Sequence, residues 1–116
     1  RLLLCTGKVA FDLLKHRKES GITDTAIIRV EQLYPFAHED FAELFKRYPH
    51  ARDIRWVQEE PKNMGAWNFI YRELREVLQS PYHFTYIGRV SSGSPAAGSG
   101  TLHEIEQSKL VREAFE

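Results

Sequence analysis

Ile54-Arg55-Trp56-Val57-Gln58-Glu59-Glu60-Pro61-Lys62-Asn63-Met64-Gly65-Ala66-Trp67 is the stretch whose reading decides the fold. Its first half, with apolar Ile54, Trp56 and Val57, reads as a buried strand from Ile54 to Glu59. Pro61 stops that strand, and from Trp67 onward apolar residues recur at helical spacing through Ile70, Tyr71, Leu74, Val77 and Leu78. A strand, a tight turn and an amphipathic helix from Met64 to about Gln79 therefore follow in order. In an α/β domain that turn is where binding chemistry collects.

Working outward, the same alternation repeats. Leu2 to Thr6 reads as a strand and Lys8 to Ser20 as a helix, with Val9, Phe11, Leu13 and Leu14 facing inward and Gly21 as its stop. Thr25 to Val30 is a second strand. After Tyr34-Pro35-Phe36, a helix from His38 to Tyr48 buries Phe41, Leu44, Phe45 and Tyr48. Ser80-Pro81 turns into a fourth strand, His83 to Arg89, and Arg72 and Glu76 are spaced to pair on the exposed side of the third helix. Ser91 to Gly100 is too small and polar to pack, and Thr101 with Glu104 spells a capping box for a last helix ending near Phe115. The expected fold is a single three-layer α/β domain, residues 1–116, with a mostly parallel sheet covered by helices on both faces.

Composition narrows the function classes. Sixteen basic and sixteen acidic residues cancel across 116 residues without long runs of either sign, so dedicated nucleic-acid binding is not expected. The single Cys5 has no disulfide partner within the chain and fits a small core residue in a reducing compartment. No apolar stretch approaches the roughly 20 residues that span a bilayer, and no signal peptide opens the sequence, so no membrane association is expected. Arg1 leads straight into a hydrophobic strand, the pattern of a piece of something longer.

Each candidate site has a chemical and a structural reading. Glu59 and Glu60 are a potential acid/base pair, but neighbours in a strand point to opposite faces. The helix start after Asn63 offers N–H groups to an anion, assisted by Lys62 and by Gly65, or is simply capped by Asn63. Arg89 presents a planar fork suited to a phosphate or carboxylate, or to a partner subunit or neighbouring domain, as does Trp67 to an interface. Thr6-Gly7-Lys8 falls short of both Gly-rich phosphate motifs, there is no G-x-S-x-G elbow, and the five histidines match no metal spacing. No self-contained catalytic or metal site emerges, and none is expected here.

Three motifs together carry a resemblance: Arg29-Val30-Glu31-Gln32-Leu33-Tyr34-Pro35-Phe36, then Gln58 to Trp67, then Gly88-Arg89 followed by Ser94-Pro95-Ala96-Ala97-Gly98. In this order, with Cys5-Thr6-Gly7-Lys8 at the opening, the whole chain resembles the C-terminal, transketolase-like domain of 2-oxoglutarate dehydrogenase, the decarboxylating first component of its complex. The resemblance implies a parent enzyme of the citric acid cycle, dependent on thiamine diphosphate and magnesium. It would decarboxylate 2-oxoglutarate and pass the succinyl group to a lipoyl arm. Cofactor and proton-transfer residues belong to preceding domains in that family, so none maps here and the isolated segment is expected to be inactive. Implied partners are the other domains of the same chain, a second copy in a homodimer, and the dihydrolipoyl succinyltransferase component. Implied locations are bacterial cytoplasm or mitochondrial matrix. Two alternatives stand beside assembly: a regulatory nucleotide or acetyl-coenzyme A module at Lys62 to Gly65, and the same domain of a 2-oxoadipate dehydrogenase.

Overall fold

Leu2, Leu3, Leu4 and Cys5 are each no more than 1% exposed, and a segment with no polar side must be covered on both faces. In the computed structural model, which describes residues 1–93 and 98–116, these four residues form the central strand β1 (Leu2–Cys5). The other elements are α1 (Val9–Glu19), β2 (Ala26–Arg29), α2 (His38–Arg47), β3 (Asp53–Pro61), α3 (Trp67–Leu74), β4 (His83–Arg89) and α4 (Gly100–Phe115). The sheet order is β2-β1-β3-β4, and every neighbouring pair is parallel. Leu3 lies opposite Ile27 on one side and Arg55 on the other.

Strand side chains alternate between faces, which splits the interior into two cores. Leu2, Leu4, Ile54 and Trp56 pack with Phe41 and Phe45 of α2 and Trp67, Ile70 and Leu74 of α3. Leu3, Cys5 and Val57 pack with Val9, Ala10 and Leu13 of α1 and Leu110, Val111 and Ala114 of α4. Each fully buried aliphatic side chain contributes roughly 1.5–3 kcal/mol. Burial pushes the Cys5 thiol up to about 11, partly offset by the Arg29 charge, so the sulfur is a protonated packing atom.

Several helix boundaries and faces differ from the sequence reading. Phe11 and Leu14 are 60% and 41% exposed. The buried stripe of α1 is Val9, Ala10 and Leu13. Phe11, two positions from both Val9 and Leu13, turns away from that stripe, where Arg29 lies 5.4 Å over its ring. Tyr48, Tyr71 and Val77 are likewise exposed, and Leu44 is only partly buried. α3 starts at Trp67, not Met64, because Met64 N–H closes a turn onto Pro61 O at 2.8 Å and Gly65 takes φ +64°, outside the helical region. α3 also ends at Leu74, well before Gln79. Arg72 reaches Glu73 at 3.8 Å and stacks over Phe69, not Glu76. The cap of α4 is Ser99, whose hydroxyl accepts from Leu102 N–H at 3.0 Å. Thr101 is already inside the helix, so the expected Thr101–Glu104 capping box is not the cap. Ser94 to Ala97, within both the polar segment and the third motif, lie outside the described residues.

At the opposite end of the sheet, Arg55 donates to Glu113 O and Ala114 O at 2.9 and 3.1 Å, satisfying the last carbonyls of α4. Asp53 holds Arg55 at 3.0 Å and Arg1 at 2.9 Å. Burial works to raise the Asp53 carboxyl, but the hydrogen bonds and charges of Arg55 and Arg1 win, leaving it below the usual range. A carboxylate depressed in the folded state stabilises fully above its unfolded pKa, about 3.9, and that stabilisation is lost progressively as pH falls from there through the lower folded-state pKa. Asp53→Asn is therefore expected to shift the urea midpoint downward at pH 7, with the gap narrowing as pH is lowered below 4. A gap as wide at pH 3 as at pH 7 would assign the effect to packing.

Candidate functional site

The chain leaves β1 toward β2 on one side and β3 toward β4 on the other, so the carboxyl ends of β1 and β3 form the switch point where α/β sheets place their ligands. Gln58 organises that rim. It is 2% exposed beside the buried Trp56 and Val57, and its Oε1 accepts from Trp56 Nε1 at 2.8 Å and from Trp67 N–H at 3.1 Å. Its Nε2 donates to the carbonyls of Glu60, Pro61 and Met64 at 3.2, 3.0 and 2.8 Å. One amide thus ties strand, turn and helix together. The close approach of Gly65 belongs to the same knot, since a Cβ there would stand 3.1 Å from Gln58 Oε1 and from Glu60 Oε2.

This knot is stitched to the end of β4. Lys62 N–H donates to Arg89 O at 3.1 Å. Asn63 donates Nδ2 to Ser92 O at 2.8 Å and accepts from Ser92 N–H at 2.9 Å. Tyr86 hydroxyl donates to Arg89 O at 2.6 Å, with Glu60 O at 3.3 Å. Burial first, then the Glu60 charge, push that phenol up to about 12 despite Gln58 and Arg89, so it stays a donor at neutral pH. Lys62 Nζ sits 5.6 Å over the Tyr86 ring.

The structure therefore brings Lys62, Asn63, Gly65 and the Arg89 backbone to one rim. Trp67 turns inward instead, 9% exposed, against Tyr71, Phe84 and Tyr86. Asn63 does not cap α3, whose N-cap is Ala66 without a side-chain bond, and Trp67 N–H is already committed to Gln58. Arg89 is 11% exposed at its side chain and folds onto α4. Its Nη2 stands 2.8 Å from His103 Nδ1. Its Nε lies 2.9 Å from Glu106 Oε2 but off the N–H axis, so that contact is ionic and not a directed hydrogen bond. An anion or a neighbouring domain reaching this guanidinium has to compete with Glu106.

Glu59 and Glu60 do not converge. Glu59 accepts from Lys8 at 2.9 Å and from Gln107 at 2.8 Å, and Gln107 also donates to Asp12 at 2.9 Å. The hydrogen bond to Glu59, then the Glu59 charge, raise the Lys8 ammonium above its ordinary value. Lys8 and Glu59 thus bridge the switch point between β1 and β3 as a closed ion pair. Among the described residues no group of three or more His, Cys, Asp or Glu side chains is placed to hold a metal ion. The residues here do not fit a magnesium-diphosphate group.

The sequence reading missed Gln58, Tyr86, His103 and Glu106. A neutral polar side chain directly after the apolar pair Trp56-Val57 is the signal that marks Gln58, because a buried amide must find partners. The other three come from distant segments and carry no local signal.

Residues 1–115 match the family described as 2-oxoglutarate dehydrogenase C-terminal. The chain is 46% identical to a 2-oxoglutarate dehydrogenase E1 component of an Exiguobacterium species, over 99% of this chain and 12% of that protein. Components of the same name from Cupriavidus necator and Haemophilus influenzae are 44% and 43% identical, again over 99% of this chain and 12% of theirs. The chain thus spans about an eighth of the length of these relatives. No helix among the described residues is long and apolar enough to cross a membrane. The parallel α/β sheet with its Gln58-to-Trp67 turn, and the match along residues 1–115, place this chain in the 2-oxoglutarate dehydrogenase C-terminal family.

Proposed function

We propose that this chain is the C-terminal domain of a longer E1 component that oxidatively decarboxylates 2-oxoglutarate and transfers the succinyl group to a lipoyl arm. The observation that carries this reading is near-complete coverage of the chain by proteins of that name, joined to the small share of each that it occupies. Thiamine diphosphate and magnesium are assigned to the rest of that longer chain. The domain's own work is assembly: it fixes the rim of Lys62, Asn63 and Arg89 against the other domains, a second copy in the homodimer, and through them the succinyltransferase component. Its place is the bacterial cytoplasm or mitochondrial matrix.

The test uses the full-length chain, intact or lacking this segment, with thiamine diphosphate and magnesium. Reduction of an artificial electron acceptor should depend on 2-oxoglutarate in the intact protein and disappear together with the dimer in sedimentation after truncation. An intact protein that ignores 2-oxoglutarate overturns the activity, with 2-oxoadipate as the competing substrate to assay. A truncated dimer that stays active overturns the assembly role.

A second reading is favoured by one observation: Lys62 Nζ lies at this rim over the Tyr86 ring, a cation beside the backbone stitch to Arg89. Such a rim suits the phosphates of a regulatory adenine nucleotide or acetyl-coenzyme A. Calorimetric titration of the full-length protein with each should give saturable heat that Lys62→Ala diminishes. Absence of heat removes this reading.

A further inference from the structure

We propose that the contact between Arg89 and His103 is a proton-sensitive latch that holds the first turns of α4 against β4. A guanidinium has five donors and no acceptor, so the 2.8 Å contact from Arg89 Nη2 requires a lone pair on His103 Nδ1. The ring is therefore neutral, with its proton on Nε2. A second proton would convert Nδ1 into a donor facing a permanent cation. Histidine is the side chain that makes this change between pH 5 and 8.

Among the described residues, the first turns of α4 have few other anchors beyond the Ser99 cap and the Glu106–Arg89 ion pair. Leu102 and Ile105 are 43% and 61% exposed, and the buried apolar residues of the helix, Leu110, Val111 and Ala114, all lie in its second half. Between the two halves Gln107 is tied to Asp12 and Glu59. Loosening that starts at His103 consequently stops near Gln107. His103 is placed for the role by its own N–H, which donates to Ser99 O at 3.0 Å in the first turn.

The charges around the ring set the direction. From β4, Arg89 faces it, and from the next turn of α4, Glu106 holds Arg89 Nε at 2.9 Å. Glu106 still ties Arg89 to the following turn of α4 when the ring gains its proton, so the repulsion loosens the turn around His103 ahead of that anchor. His103 lies in the groove between α1 and α4, whose other charged or titratable groups are Lys8, Asp12, Lys15, His16, Glu19 and Glu104. Lys8 is occupied by Glu59 and Asp12 by Gln107. His16, the other histidine of the groove, stacks on Phe115 at the far end of α4 and serves as the control.

The experiment is hydrogen–deuterium exchange by mass spectrometry on the full-length chain at pH 8 and pH 5.5, with labelling times scaled for intrinsic exchange. Peptides covering 100–107 should lose protection roughly tenfold at the lower pH, the factor that one hydrogen bond of ordinary net strength supplies. Peptides covering 108–115 should not change. His103→Gln, which can still accept from Arg89 but does not titrate, should hold protection steady across the range, while His16→Gln keeps the wild-type drop. A wild-type protein without the drop, or the same drop in His103→Gln, overturns the latch. Should His103→Gln loosen the helix at both pH values, Arg89→Gln decides: it removes the facing cation, so steady protection supports the latch and a wild-type drop overturns it.

Discussion

Gln58→Ala is expected to destabilise the domain by roughly 3–5 kcal/mol, a large share of the 5–15 kcal/mol that holds an ordinary domain together. The deletion leaves Trp56 Nε1 and Trp67 N–H without their shared acceptor, and the carbonyls of Glu60, Pro61 and Met64 without their shared donor. Each buried group so orphaned costs about 1–3 kcal/mol, reduced wherever water enters the space. Gln58→Glu is the sharper variant, since it keeps the shape and the acceptor but turns a carboxylate oxygen toward three carbonyls. It should be at least as damaging at neutral pH and should recover partly in acid, where the carboxyl regains one proton to donate. Urea unfolding followed by tryptophan fluorescence reads both, because Trp56 and Trp67 flank the amide. A loss below about 1 kcal/mol for Gln58→Ala would mean that the turn holds without its knot.

The same residue shows how far the sequence could be read. Strand and helix order, the parallel sheet and its two-faced cover were legible because β1 has no polar side and because Val57 and Trp56 alternate between two cores. Leu14 and Tyr71 were misplaced because apolar side chains adjacent to a buried stripe look the same in sequence as members of it. The start of α3 was misplaced because Asn63 has cap chemistry, whereas the actual constraint is the positive φ of Gly65 and the pull of Gln58 on the Trp67 amide. Of the candidate site, Lys62, Asn63, Gly65 and Arg89 were visible as residue types that favour anions. Their mutual arrangement was not, since it rests on Tyr86, Ser92, His103 and Glu106, which reach the rim only through the crossing of β4 and the return of α4. That crossing also redefines Arg89, whose fork is spent inside the domain.

Gly88→Ala is the second large expected loss, roughly 2–3 kcal/mol from overpacking. No unusual φ is involved; the constraint is space. A Cβ on Gly88 would lie 2.5 Å from Tyr86 Oη and 2.6 Å from the backbone carbonyl of Gln58. Neither neighbour yields readily: the hydroxyl is bonded to Arg89 O at 2.6 Å, and the carbonyl belongs to the central part of β3. β3 and β4 slip register between Val57 and Pro61, and Gly88 stands opposite that irregularity. Adding Tyr86→Phe removes the hydroxyl clash but leaves the ring Cζ at 2.8 Å and the Gln58 carbonyl, so the double variant should regain only part of the loss, and the coupling follows from a double-mutant cycle. Full recovery would assign the whole penalty to the phenol. No recovery would assign it to the contacts that Tyr86→Phe leaves in place, the ring carbon and the β3 carbonyl.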